Sequence, residues 1–67
     1  MRLVINGEPH DGLTDGLSVE ALIAHLGLPT RKIAVERNKA VVPKSLHAQT
    51  LLADGDTIEI IHFIGGG

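Results

Sequence analysis

The chain has 67 residues, 43% of them hydrophobic, and a net charge of −2, which suits one small domain and leaves no room for a second. It has no cysteine, so disulfides, thiolate metal ligands and a cysteine nucleophile are excluded. One aromatic residue, Phe63, and no basic run give little to stack on bases or to neutralise phosphates, so no nucleic-acid partner is expected.

In chain order, Met1–Ile5 alternates as a strand, with Met1, Leu3 and Ile5 on one face and Arg2, Val4 and Asn6 on the other. Asn6-Gly7 follows, a dipeptide that accepts positive φ at both centres of a tight hairpin turn. A second strand is predicted from Glu8 to about Leu13, weakened by Pro9 and Gly12 and therefore at a sheet edge.

The next segment, LSVEALIAHLGLP, carries helix signals. Ser18 can cap the first free N–H groups, and Leu17 and Leu22 stand at the positions of a hydrophobic staple. Glu20 falls in the first turn, where the helix dipole favours an acid. Val19, Leu22, Ile23 and Leu26 form one apolar stripe, which Gly27 and Pro29 bring to an end.

Lys32–Asn38 alternates again, with Ile33 and Val35 on one face, and Ala40–Pro43 is a short extended piece. Lys44–Leu52 reads either as a short helical turn or as an irregular crossing. Asp54-Gly55-Asp56 is a turn, and Thr57–Ile64 is the most β-prone segment of the chain. The elements therefore run ββαββ, with a last strand leading into Gly65, Gly66 and Gly67. An α+β fold follows, with one amphipathic helix covering one face of a mixed sheet. The first and last strands are expected side by side in the middle of that sheet, with Met1 close to where the tail leaves. The domain is placed at residues 1–64 and a flexible glycine tail at 65–67.

The remaining polar residues form no evident active centre. His10, His25, His47 and His62 show no ligand spacing, so no metal site is expected, and His25 reads as a solvated histidine at the helix end. Ser18 and Ser45 have no triad partners, and no GxxxxGK phosphate loop occurs. Arg37, Lys39 and Lys44 read as a solvated face, with a small basic docking spot as the alternative. MRLVINGEPH contains neither a secretory leader nor a membrane span, which makes a cytoplasmic protein the default.

Glycines carry no acid or base, so what a glycine end offers is a carboxylate on a thin tether. Three extended residues reach roughly 10 Å, and without a Cβ they accept almost any conformation that a narrow channel dictates. On the last strand, Ile58 and Ile60 are assigned to the core. Ile61 and Phe63 then share the opposite face with Glu59, an apolar patch beside the tail of the kind that meets a partner.

Four stretches, INGE, LSVEALI, AVERNKAVVPKS and LLADGDTIEIIHFIGGG, together span nearly the whole chain. In order and spacing they resemble the ThiS-like sulfur carriers of thiamine (thiazole) biosynthesis, a branch of the ubiquitin-like β-grasp proteins. The family pattern needs two terminal glycines, so Gly65 is additional. The resemblance implies a carrier and not an enzyme, with no cofactor of its own. It implies that an E1-like (ThiF-like) adenylating enzyme uses ATP to activate the carboxylate of Gly67. A persulfide donor such as a cysteine desulfurase then converts it to a thiocarboxylate, and a ThiG-like thiazole synthase accepts the sulfur. Gly65 and Gly66 would thread the partner, Ile61, His62, Phe63 and Ile64 would contact it, and a monomer is expected. The alternatives are the small subunit of molybdopterin synthase, with the same tail chemistry, and a ubiquitin-like interaction module whose tail is unused.

Overall fold

A computed structural model describes residues 1–29 and 31–63. Its elements are β1 (Leu3–Ile5), β2 (Glu8–His10), α1 (Val19–His25), β3 (Ile33–Arg37), β4 (Ala40–Val42), a 3-10 turn (Lys44–Leu46) and β5 (Thr57–His62). The strands form one mixed sheet in the order β2-β1-β5-β3-β4. β5 runs parallel to β1 and antiparallel to β3, and each hairpin partner lies at an edge. The expected α+β architecture and the adjacency of first and last strands are both present.

Local chemistry accounts for the elements. Asn6 and Gly7 take φ of 49° and 81°, the left-handed pair that closes the β1–β2 hairpin. Asn38 and Lys39, at 50° and 71°, close the β3–β4 hairpin in the same way. Ser18 caps α1 by accepting from the Ala21 N–H at 3.0 Å, satisfying one of the free donors of the first turn. The helix is only seven residues long and depends on the face it buries.

That face meets one side of the sheet. Val19, Leu22 and Ile23 pack with Leu3, Ile5, Val35, Val42 and Ile58, and Leu13 and Leu52 belong to the same buried cluster. Leu3, Val19, Leu22 and Ile58 are fully buried. Each such side chain contributes roughly 1.5–3 kcal/mol on burial.

The structure differs from the sequence expectation at several points. β2 stops at His10 instead of Leu13. Gly12 takes φ of 75°, which turns the chain so that Leu13 enters the core and its N–H bonds the Met1 carbonyl at 3.1 Å. β1 begins at Leu3, and β5 ends at His62 rather than Ile64. Residues 44–52 form the 3-10 turn and an irregular crossing in succession, fixed by a Ser18–Leu51 bridge to the start of α1. Ile60 is half-buried at the border of the core and not within it.

Met1 is not near the end of β5. The backbone N–H of Arg2 donates to Asp54 Oδ1 at 2.7 Å, and the Gly55 N–H donates to the Arg2 carbonyl at 2.8 Å. The start of the chain is thus level with Gly55. Parallel pairing sends β5 away from that end, so Phe63 lies roughly 25 Å further along the strand direction.

Candidate functional site: the end of β5 and the open sheet face

The helix covers one face of the sheet and leaves the other open. Along β5, Ile58 is buried under α1, whereas Thr57, Glu59 and Ile61 alternate onto the open face. The same alternation carries Phe63, whose N–H donates to the Lys32 carbonyl at 2.7 Å and so extends the β3–β5 pairing past the strand. Ile61 is 48% exposed and Phe63 51%. Register places Ala34 opposite Ile61, and Glu36 between Glu59 and Val41. Val41 on β4, opposite Glu36, is 69% exposed.

The expected patch of Ile61 and Phe63 beside the tail is therefore exposed on the face without the helix. His62 is also exposed, but strand alternation gives it the parity of Ile60, on the opposite side from Ile61 and Phe63. The expectations for Ile64, Gly65, Gly66 and Gly67, and with them the boundary between domain and tail, lie outside the described residues.

Two polar residues that the sequence reading took only as turn formers position this strand. The β1–β5 ladder runs from Val4 N–H to the Asp56 carbonyl at 3.0 Å and from Asn6 N–H to the Ile58 carbonyl at 2.9 Å. Beyond Asn6 the backbone turns away into the hairpin, and its side chain takes over. Asn6 Oδ1 accepts from the Ile60 N–H at 2.7 Å, and Nδ2 donates to the Ile60 carbonyl at 3.3 Å. One carboxamide thus continues the ladder by a further step toward the tail.

At the other end of β5, Asp56 is buried and gathers the chain. Its carboxylate accepts from Ala53 N–H and from Arg37 Nε, both at 2.8 Å, and from Asn38 Nδ2 at 3.0 Å. Burial pushes the Asp56 pKa up, but the hydrogen bonds from Ala53, Asn38 and Arg37 and the charge of Arg37 outweigh it, so the net direction is downward. Asn38 Oδ1 also accepts from Thr57 N–H at 2.9 Å. Arg37 is therefore engaged within the fold and does not belong to a free basic spot with Lys39 and Lys44.

The histidines divide as follows. His47 is buried, and its Nε2 donates to the Val42 carbonyl at 3.1 Å, tying the 3-10 turn to β4. His25 is exposed in the last turn of α1. Among the described residues no cluster of His, Asp and Glu could hold a metal ion, and no helix is long and apolar enough to cross a membrane. A shallow recess lined by Glu20, Ile23, Lys44 and His47 lies on the helix side, away from the end of β5.

The geometry is a small scaffold that presents one strand end and one apolar sheet face, and a model of the ThiS family matches it over residues 3–67. The chain belongs to the ThiS family. The sulfur carrier protein ThiS of Bacillus subtilis is 37% identical over 65 residues, covering 97% of this chain and 98% of that one. A crystal structure of the thiamine biosynthesis protein ThiS from Geobacter metallireducens superposes with a TM-score of 0.83 at 34% identity, covering all of both chains. The ubiquitin-like β-grasp fold is thus shared with a solved ThiS protein. Both of these full-length ThiS relatives carry names from sulfur carriage or thiamine biosynthesis.

A second kind of ThiS-family relative is longer. A thiazole synthase of Paramagnetospirillum magneticum is 54% identical across all 67 residues, and one of Magnetococcus marinus is 46% identical. The chain spans about a fifth of the length of these two relatives, 20% in each case.

Proposed function

We propose that the carbonyl carbon of Gly67 is the working atom and that the folded domain is the handle that delivers it. The observation that carries this reading is the ThiS-family match running through residue 67, beyond a strand that Asn6 holds at Ile60. A carboxylate does not acylate, because the oxygen it must expel is too basic. In the proposed cycle a carboxylate oxygen of Gly67 attacks the α-phosphorus of ATP on an adenylating partner, and pyrophosphate leaves. The resulting acyl-adenylate has AMP as a good leaving group. The terminal sulfur of a persulfide attacks the acyl carbon and expels AMP. A second thiol then attacks the persulfide's remaining sulfur, takes it into a new disulfide, and leaves the thiocarboxylate on Gly67. All catalytic side chains belong to the partners, and ATP is bound by the adenylating enzyme alone.

Thiazole synthase is the proposed sulfur acceptor. In two relatives the stretch matching this whole chain lies within a polypeptide named thiazole synthase, which favours a thiazole over a pterin acceptor. Ile61, Phe63 and Ile64 supply contact surface, with His62 at its border, while Gly65 and Gly66 thread the partner. Ordering the tail costs roughly 1–2 kcal/mol per residue, so the folded face must supply the binding energy.

The test is the intact mass of the chain after incubation with ATP, a persulfide source and the cognate adenylating enzyme. Exchange of one oxygen for sulfur, localised to Gly67, is the expected result. A single tryptophan appended after Gly67 should abolish the exchange while the domain stays folded. Unchanged mass in the wild type, or exchange that survives the tryptophan, refutes the reading and favours a module whose tail is unused.

A further inference from the structure

Neither side of the sheet follows β5 to its end. On the β1 side the backbone ladder closes with Asn6 N–H and the Ile58 carbonyl, because the chain turns at Asn6-Gly7. On the far side of β3, β4 pairs as far as Val42 opposite Val35 and stops there. Pro43 has no N–H to give, and the chain enters the 3-10 turn. Beyond the row of Val42, Val35 and Ile60 the sheet therefore narrows, among the described residues, to two strands. Ala34 pairs with Ile61, Ile33 with His62, and Phe63 N–H reaches the Lys32 carbonyl at 2.7 Å. A two-stranded ribbon is marginal by itself and twists more than a wider sheet. Its burial is also partial. Val35 and Ile58 are fully buried near its root, whereas Ile33 and Ile60 are half-buried and Ile61, His62 and Phe63 are exposed. Asn6 sits at that root. Its carboxamide gives Ile60 both the acceptor, at 2.7 Å, and the donor, at 3.3 Å, that a continuing β1 would have offered.

From this arrangement we infer that Asn6 is a positioning residue for loading of the carrier: it fixes the angle at which the β3–β5 ribbon leaves the sheet. The inference rests on the proposed function and names a residue that serves it through Ile60, not through the reacting carboxylate. Phe63 lies three residues beyond Ile60, roughly 10 Å along the strand. A swing of about 10° at the root is half the usual rotation between neighbouring strands. It would displace Phe63, from which residues 64–67 continue, by roughly 2 Å. A carrier whose ribbon samples several angles binds its partner only in the aligned fraction, and its apparent affinity falls by that fraction. Asn6 keeps the aligned fraction high before the encounter, so less ordering remains to be done on binding. Once docked, the ribbon is held by the partner, and the chemical step runs at the same rate with or without the carboxamide.

The test measures ATP–pyrophosphate exchange by the purified cognate adenylating enzyme against carrier concentration, for wild type, Asn6→Gly and Asn6→Asp. Glycine keeps the turn at φ of 49° and removes both bonds to Ile60. Aspartate also tolerates the turn; it keeps the acceptor for the Ile60 N–H and loses the donor. Circular dichroism checks that each is folded at the assay temperature, and Asn6→Asp carries the comparison if glycine fails to fold. For Asn6→Gly the KM for the carrier should rise about fivefold, the equilibrium factor of one net hydrogen bond, with kcat unchanged. Asn6→Asp should fall between it and wild type. In the free carrier, amide relaxation at Ile61 and His62 should report increasing motion in the same order. A carrier that is merely less stable but still folded presents nearly its full concentration, so its KM would hold. Wild-type KM in Asn6→Gly overturns the inference, as does a fall in kcat at unchanged KM. A raised KM with unaltered amide relaxation would make Asn6 a direct contact and overturns it too. A wild type that supports no exchange at all sinks the proposed function and this inference with it, whereas exchange by wild type matched in full by Asn6→Gly sinks the inference alone.

Discussion

Replacing Asn6 with glycine isolates the contribution of one side chain to the alignment of the last strand. Glycine keeps the left-handed backbone that the hairpin needs at φ of 49°, so the turn itself is preserved. What disappears is the pair of bonds to Ile60, one at 2.7 Å and one at 3.3 Å. A net hydrogen bond contributes about 0.5–1.5 kcal/mol. Both bonds are exposed, so water replaces them in part, and the longer contributes less than the shorter; a loss of about 1 kcal/mol is the working value. For a domain of this size that corresponds to a fall of roughly 4–8 °C in melting temperature. Urea denaturation read by circular dichroism gives the free energy, and hydrogen exchange at the Ile60 amide gives the location. The amide should lose protection while those of Val4 and Asn6, bonded through backbone alone, keep theirs. Unchanged stability together with a protected Ile60 amide would refute the claim that the carboxamide extends the ladder.

Asp56 gives a pH prediction. Its folded pKa lies below the ordinary value of 3.8, so the stability it supplies is fully present above that value and is lost as pH falls through the lower folded value. Urea midpoints should therefore drop below about pH 4 in wild type, and Asp56→Asn should be less stable at neutral pH and lose less on acidification. Phe63→Ala, at a half-exposed position beyond β5, should leave the folding stability within about 0.5 kcal/mol of wild type. It should nonetheless weaken the complex with the adenylating enzyme in titration, and equal affinity would remove Phe63 from the contact.

What could be read from the sequence was what local rules govern. The Ser18 cap, the Val19–Leu22–Ile23 stripe and the Asn6-Gly7 turn each follow from neighbours within a few residues, and each is present. Strand alternation also placed Ile61 and Phe63 correctly on the open face, because period-two geometry needs no tertiary information. The direction of β5 relative to β1 was not legible. Either direction buries Ile58 beside Ile5, and parallel pairing alone separates Met1 from the end of β5. Asp56 escaped notice because its partners are dispersed in the chain. Arg37 and Asn38 lie 19 and 18 residues away, and within the Asp54-Gly55-Asp56 stretch an aspartate is already explained by the turn. The opposition of Glu36 and Glu59 likewise exists only once the β3–β5 register is known.

The placement of β5 between β1 and β3 has a mechanical consequence. A force applied at the end of β5 along the strand acts on the middle of the sheet. The strand's backbone bonds to both neighbours lie across its axis, so the pull loads them together in shear and does not unzip them one by one. An edge strand such as β2 or β4 would peel away under the same tug. A load on the end of β5 is thus shared by both of its neighbours, β1 and β3.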